Sequence, residues 1–139
     1  MTLTVGSLFS GIGGLDLGLQ RAGMEIRWQV ENDNYCRRIL AKHWQDVPKW
    51  SSVETFPPFD WPQELLQVDV ICAGWPCQDI SSQGKRAGLK GKKSGLFFEV
   101  IRVAGLLKPR VLLPENTPML LRGEMGVVLG ELAQIGFNA

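Results

Sequence analysis

Two side chains define the chemistry this sequence could perform, Cys77 and Glu115, and each stands just past a short apolar run. Cys77 lies in Ala73-Gly74-Trp75-Pro76-Cys77-Gln78-Asp79-Ile80-Ser81, directly after Val68-Asp69-Val70-Ile71-Cys72, which reads as a buried strand. A cysteine on a loop beyond the carboxyl end of a strand, restricted by Pro76, is well placed as a nucleophile. The thiolate is the reactive form, and loop N–H groups beside a basic segment favour it. Glu115 follows Arg110-Val111-Leu112-Leu113, in the segment Pro114-Glu115-Asn116-Thr117-Pro118. A thiolate paired with a carboxylic acid suits addition to an electron-poor ring, the acid protonating or hydrogen-bonding a ring nitrogen as carbon is attacked. Asn116 could brace the loop through its amide. Taken singly, both residues have plainer readings: a small cysteine packed behind a turn, and a strand-end carboxylate in water.

A second constellation is the glycine turn Phe9-Ser10-Gly11-Ile12-Gly13-Gly14 with Glu31. Glycines between a strand and a helix permit a tight turn and close backbone approach to a ligand at the helix N-terminus. An acidic residue ending the next strand accepts hydrogen bonds from ribose hydroxyls in Rossmann-like units. The third glycine of the dinucleotide fingerprint is missing, and no Lys-Ser or Lys-Thr follows, which argues against a phosphate-cradling loop. A nucleoside without a phosphate chain fits better. His43, the only histidine, has no base–nucleophile spacing to a cysteine and reads as an ordinary helix residue. Cys36 and Cys72 read as packing residues.

The elements that must position these groups alternate strand and helix. Thr2–Phe9 reads as a strand and Leu15–Ala22 as a helix, with Leu15, Leu19 and Ala22 on one face and Gly23 as terminator. Glu25–Val30 is a second strand, and Asp33 or Asn34 caps a second helix running to Trp44. Val47–Trp61 reads as a loop with one short strand near Trp50–Val53. After the strand to Cys72, the segment Ser82–Lys93 holds Lys85, Arg86, Lys90, Lys92 and Lys93 among glycines and reads as an exposed, mobile loop suited to a phosphate backbone. Ser94 caps a helix over Gly95–Leu107, with Leu96, Val100, Val103 and Leu107 at helical spacing. Arg110–Leu113 reads as a short buried strand, and a last helix spans Met125–Gln134 before Gly136. This order predicts an α/β fold with a parallel sheet and right-handed crossovers. In such sheets ligands bind outside the carboxyl ends of the strands, where every unusual segment here falls.

Composition is ordinary for one globular domain of 139 residues, 45% hydrophobic and 21% charged with a net charge of +1. No apolar run approaches the ~18 residues of a membrane span, and the N-terminus lacks a signal-peptide layout. Three cysteines without a Cys-x-x-Cys pair argue against a disulfide framework and a structural zinc site, and fit a reducing cytoplasm.

Taken in order, Phe9-Ser10-Gly11-Ile12-Gly13-Gly14, Glu31, Gly74-Trp75-Pro76-Cys77-Gln78, Ser94-Gly95-Leu96-Phe97 and Pro114-Glu115-Asn116 resemble the DNA (cytosine-5)-methyltransferases. The resemblance covers nearly the whole chain, but only the N-terminal part of the family's catalytic domain. It implies a Rossmann-like, S-adenosylmethionine-dependent methyltransferase core, bacterial or phage in type, ending after about five strands. It implies that Cys77 attacks C6 of a cytosine flipped out of double-stranded DNA, activating C5 toward the methyl group. Glu115 would contact N3 and the exocyclic amine, and Asn116 would hold the Pro76-Cys77 loop. S-adenosyl-L-methionine would be held by Phe9, Ser10, Gly11, Gly13, Gly14, Leu15, Glu31, Asn32, Ser52, Val53, Pro76 and Leu96. DNA would be met by Gln78, Ser81, Lys85, Arg86, Lys90, Lys92 and Lys93. No metal and no membrane enter this reading.

Three departures from the family's pattern stand out. An aspartate after the third strand is replaced in Trp50-Ser51-Ser52-Val53, with Ser52 in its place. Glu-Asn-Val becomes Glu115-Asn116-Thr117. The chain is also expected to lack the target-recognition domain and the C-terminal segment, so that it acts as a fragment or as half of a split enzyme with a complementing chain. The alternative is a catalytically inactive remnant that binds only the cofactor or a partner chain.

Overall fold

The computed structural model of the chain describes residues 1–75, 95–116 and 125–138. Five strands form one sheet: β1 (Thr4–Leu8), β2 (Glu25–Val30), β3 (Lys49–Trp50), β4 (Val70–Gly74) and β5 (Val111–Glu115), in the order β3-β2-β1-β4-β5. Every pairing is parallel. Parallel neighbours need crossovers, and these are the helices α1 (Gly14–Arg21), α2 (Asn34–His43), α3 (Gln63–Leu66) and α4 (Leu96–Leu107), followed by α5 (Met125–Gln134). A 3₁₀ turn at Val53–Thr55 follows β3.

Each face of the sheet carries its own core. Leu19 of α1 and Leu40 and Trp44 at the end of α2 pack on Val5, Ile26, Val70 and Cys72. The other face packs Phe97, Val100, Val103 and Leu107 of α4, Val128 of α5 and Leu66 of α3 on Leu8, Trp28, Val30, Ile71 and Ala73. The two-residue alternation of strands explains this sorting along β1 and β4. Along β2 it fails once, because the register with β1 shifts between Val5 and Gly6, skipping Arg27. Ile26 and Trp28 therefore point to opposite faces although they stand two residues apart.

That shift turns the Trp28 indole over β1. A Cβ on Gly6 would meet the indole at 2.0 Å, so only glycine leaves the ring its place. The ring stacks on Phe56 at 4.6 Å and donates its N–H to the Leu66 carbonyl at 3.3 Å. At the opposite end of the sheet from the glycine turn, Thr4 and Asp69 tie β1 to the start of β4. Thr4 N and Oγ1 both donate to Asp69 Oδ2, at 2.9 and 3.0 Å.

Most expected elements are found with small shifts in their ends. Asp33 is the cap of α2, its carboxylate accepting from Cys36 N at 2.9 Å. The expected strand near Trp50–Val53 is instead the two-residue β3, with a 3₁₀ turn after it, and α3 was not anticipated. Two expectations are corrected. In α1 the face of Leu15, Leu19 and Ala22 is buried only at Leu19, which packs on the core: Leu15 is 36% exposed, Ala22 is exposed, and Asp16 is the fully buried residue. β5 is not a buried strand either. It pairs only with β4 among the described residues, and Val111 and Leu113 are 50% and 38% exposed.

Gly6→Ala should cost about 3 kcal/mol, because the indole has no room to yield between two packed layers. Urea unfolding followed by tryptophan fluorescence measures it, and an unchanged midpoint would contradict this placement of Trp28.

Candidate active site

The site forms where β1 ends, because β1 is hydrogen-bonded to β2 on one side and β4 on the other. Crossovers leave to opposite faces on either side of such a strand, which opens a crevice at its carboxyl end. The chain leaves β1 through Phe9 at φ 54°, Gly11 at φ 59° and Gly13 at φ 91°. A left-handed φ costs a non-glycine residue about 1–2 kcal/mol, so Phe9 stores strain at the mouth of the crevice. Ser10 N donates to Val30 O at 3.1 Å, and Gly13 N to Ser10 O at 2.9 Å, closing the turn against β2. Gly13 rests on Trp44, where a Cβ would meet the ring at 2.4 Å.

Glu31 holds this turn from β2's end. Gly11 N donates to Oε1 at 2.8 Å and Asp33 N to Oε2 at 2.7 Å, so one carboxylate joins the glycine turn to the start of α2. Each oxygen keeps a further lone pair for a ligand hydroxyl. Phe9 lines two clefts. One is lined by Phe9, Glu31, Asn32, Ser52, Val53 and Leu96, which brings six of the residues expected at the cofactor together. The other, about 480 Å³, is bordered by Phe9, Ser10, Gly14, Leu15, Gly74 and Glu115, with Ser7, Asp16 and Cys72 as its floor. Gly11 reaches the site through its N–H on Glu31, whereas Gly13 lines a separate groove with Trp44 and His43. His43 is exposed, edge-on to Trp44, and apart from both clefts.

Glu115 sits at the far rim. The β4–β5 register pairs Gly74 with Glu115, and a Cβ on Gly74 would lie 3.0 Å from Glu115 Oε2. Asn116 Nδ2 donates to the Trp75 carbonyl at 3.3 Å, fastening the end of β5 to the residue that precedes Pro76. Trp75 is buried against Phe97, their ring centroids 5.1 Å apart. Pro76, Cys77, Gln78, Ser81, Lys85, Arg86, Lys90, Lys92, Lys93, Ser94 and Thr117 lie outside the described residues.

Sequence reasoning missed a buried polar chain beneath the turn. Ser7 Oγ lies 2.8 Å from Ser10 Oγ and donates to Asp16 Oδ1 at 2.8 Å, and Gln29 Nε2 donates to Asp16 Oδ2 at 2.7 Å. Ser7, Ser10, Asp16 and Gln29 are all buried. Desolvation pushes the Asp16 carboxyl above its ordinary value, opposed by the hydrogen bonds from Gln29 and Ser7 and by the charge of Lys49. The signal was available: Ser7 and Gln29 interrupt two otherwise apolar strands, and such residues need a partner. The adjacent Cys72 thiol is pushed from 9.0 up to about 12, first by burial and then by the Asp16 charge. Cys72 is thus a packing residue with no reactive thiolate at neutral pH. Among the described residues no cluster of His, Cys, Asp or Glu could hold a metal, and no helix is long and apolar enough to cross a membrane.

The sequence profile of C-5 cytosine-specific DNA methylases matches residues 3–139. The chain belongs to that family. It is 37% identical over 133 residues to the type II methyltransferase M.Eco47II of Escherichia coli, covering 95% of this chain and 31% of the relative. It is 32% identical over 131 residues to the type II methyltransferase M.CviJI of Paramecium bursaria Chlorella virus IL3A, covering 94% of this chain and 35% of the relative. A solved structure of a candidate DNA modification methyltransferase encoded within an E. coli prophage superposes with a TM-score of 0.75 at 25% identity. It covers 97% of this chain and 38% of the other. DNMT2 of Spodoptera frugiperda shares the fold, with a TM-score of 0.70 at 19% identity over 99% of this chain and 42% of the other. The chain therefore spans about a third of the length of the curated relatives it matches.

In the folded methylase chain Cys72 should resist iodoacetamide at pH 8.5 and react once the chain is unfolded in urea. Peptide mass mapping reads this directly, and rapid labelling of native Cys72 would contradict its burial.

Proposed function

We propose that this chain is the cofactor-binding and nucleophile-bearing part of a DNA (cytosine-5)-methyltransferase. The observation that carries the reading is the β4–β5 register, which sets Glu115 beside Gly74 while Asn116 holds the Trp75 carbonyl. Acid and anchor thus meet the chain at the end of β4, two residues and one residue before the Pro76-Cys77 pair.

The two clefts fit S-adenosylmethionine by charge as well as by position. Their described lining includes no lysine or arginine, but does include Glu31, Glu54, Asp16 and Glu115. Such a lining repels a polyphosphate and suits a ligand with a sulfonium and an ammonium group. Glu31 would accept from ribose hydroxyls, and Ser52 would offer a neutral hydroxyl where the family carries an aspartate. When bound, the cofactor supplies an electrophilic methyl group.

The protein's own residues would do the rest. The Cys77 thiolate adds to C6 of a flipped cytosine, and the electron pair of the C5–C6 bond moves to C5, which takes the methyl group. Glu115 hydrogen-bonds N3 and the exocyclic amine as the ring gains electrons, favouring the addition. Loss of the C5 proton and of the thiolate restores the ring. Pairing with double-stranded DNA would fall to the segment from Gln78 and Ser81 to Lys93, together with a target-recognition part on a complementing chain.

Alone, the chain should transfer no tritiated methyl group to duplex DNA, and robust transfer would overturn its reading as part of a larger enzyme. Complemented with a C-terminal half and given DNA carrying 5-fluorocytosine, it should form an adduct stable on a denaturing gel, since fluorine cannot leave as a proton does. Cys77→Ser should abolish that adduct. Glu115→Gln should slow methyl transfer by about two to three orders of magnitude. DNA binding without any adduct would favour the inactive remnant instead.

A further inference from the structure

A third depression, apart from the two clefts, runs along α1 against the end of α2. Its volume is about 590 Å³, within the range of sites that hold small molecules. We propose that this groove is a second binding site, which takes a small amphipathic anion: a carboxylate carried on an aromatic or short aliphatic body. Its occupant is set by its own lining, whatever fills the two clefts.

Trp44 gives the groove its direction. A Cβ on Gly13 would meet Cζ3 and Cη2 of the indole at 2.4 and 2.6 Å, whereas the indole N–H donates to Gln20 Oε1 at 2.8 Å. The ring thus lies along α1, its hydrocarbon edge at the start of the helix and its polar edge near the end. Ile12, 58% exposed, and Leu17, 41% exposed, line the groove with it. Both are apolar side chains left in water, and the hydrocarbon part of a ligand would release that water. Because Gln20 already satisfies the Trp44 N–H, the floor requires no polar group from the ligand.

The rim carries charge of one sign. Arg21 is the last residue of α1 and His43 the last of α2, and both line the groove. No aspartate or glutamate is among its lining residues. Arg21 makes no ion pair or hydrogen bond among the described residues, so its guanidinium can receive a carboxylate in bidentate fashion. The two clefts have the opposite character, with Glu31, Glu54 and Glu115 in their lining. An anion is therefore favoured in the groove and disfavoured in the clefts. Gly14 borders both the groove and the larger cleft, so an occupant of the groove bears on the glycine turn from outside the cofactor side.

The probe is hydrocinnamate, a benzene ring on a short carboxylate chain, added to the isotope-labelled 139-residue chain and followed by NMR shift perturbation, which tolerates weak binding. Saturable shifts are expected at the Ile12, Gly13 and Gly14 amides and at the Trp44 indole N–H. The uncharged amide of the same acid should bind about fivefold more weakly. Arg21→Gln, an exposed position whose change spares the fold, should weaken the carboxylate by about the same factor and leave the amide unaffected. Absence of saturable shifts at these groups would overturn the proposal. So would equal affinity for acid and amide, or an Arg21→Gln chain that binds the acid as before. The competing occupant is a segment of the complementing C-terminal half. The probe should still bind after that half is added, and its displacement would make the groove a contact between chains and overturn the small-molecule site.

Discussion

Hydrogen bonding of β1 on both of its edges is the constraint on which the remaining geometry depends. A strand in the middle of a parallel sheet has neighbours reached by crossovers in opposite directions, and the two sets of helices cover opposite faces. Crossovers that diverge in this way leave a crevice at the carboxyl end of β1. The glycine turn, the Glu31 carboxylate and the ends of β4 and β5 all open into that gap. A side chain does not need to be drawn to the site by a specific contact; it needs only to stand at the end of its strand.

The gap is shaped by interactions made at some local disadvantage. Phe9 holds a left-handed backbone and stands in the wall of both clefts. Gly13 lies flat on Trp44, so the turn is seated on a core residue of α2 rather than left free. Glu31 accepts two backbone N–H groups and keeps lone pairs for a ligand. Under the turn, Asp16 gathers donors from β1 and β2. On the proposed reading, the acidic lining of the two clefts suits a cationic nucleoside better than a phosphate.

On the proposed reading, chemistry and cofactor meet across the β4–β5 pairing. A one-residue slip there would carry Glu115 to the other face of the sheet, because side chains alternate along a strand. The Asn116 bond to the Trp75 carbonyl, with Trp75 itself packed on Phe97, resists such a slip from beyond the strand ends. Division of labour is implied by length: a chain spanning about a third of its relatives carries the elements that line the clefts and the acid. On the proposed reading, recognition of DNA sequence belongs to the other two thirds.

Periodicity and punctuation in the sequence determined the order of elements, the caps at Asp33 and Gly23, and the strand ends where Glu31, Ser52 and Glu115 gather. These are local properties: a glycine, a cap or an alternating run acts through its own few neighbours. The resemblance to the family's ordered motifs added the expectation of a cofactor and a nucleophile. Tertiary structure alone decided that Asp16 is buried while Leu15 and Ala22 are not, that a shift at Arg27 sends Ile26 and Trp28 to opposite faces, and that β5 stands at an edge. Helical spacing identifies residues that share a face but not what that face will meet. For Asp16 the answer came from Ser7 and Gln29, on two strands that lie apart in sequence and side by side in the sheet.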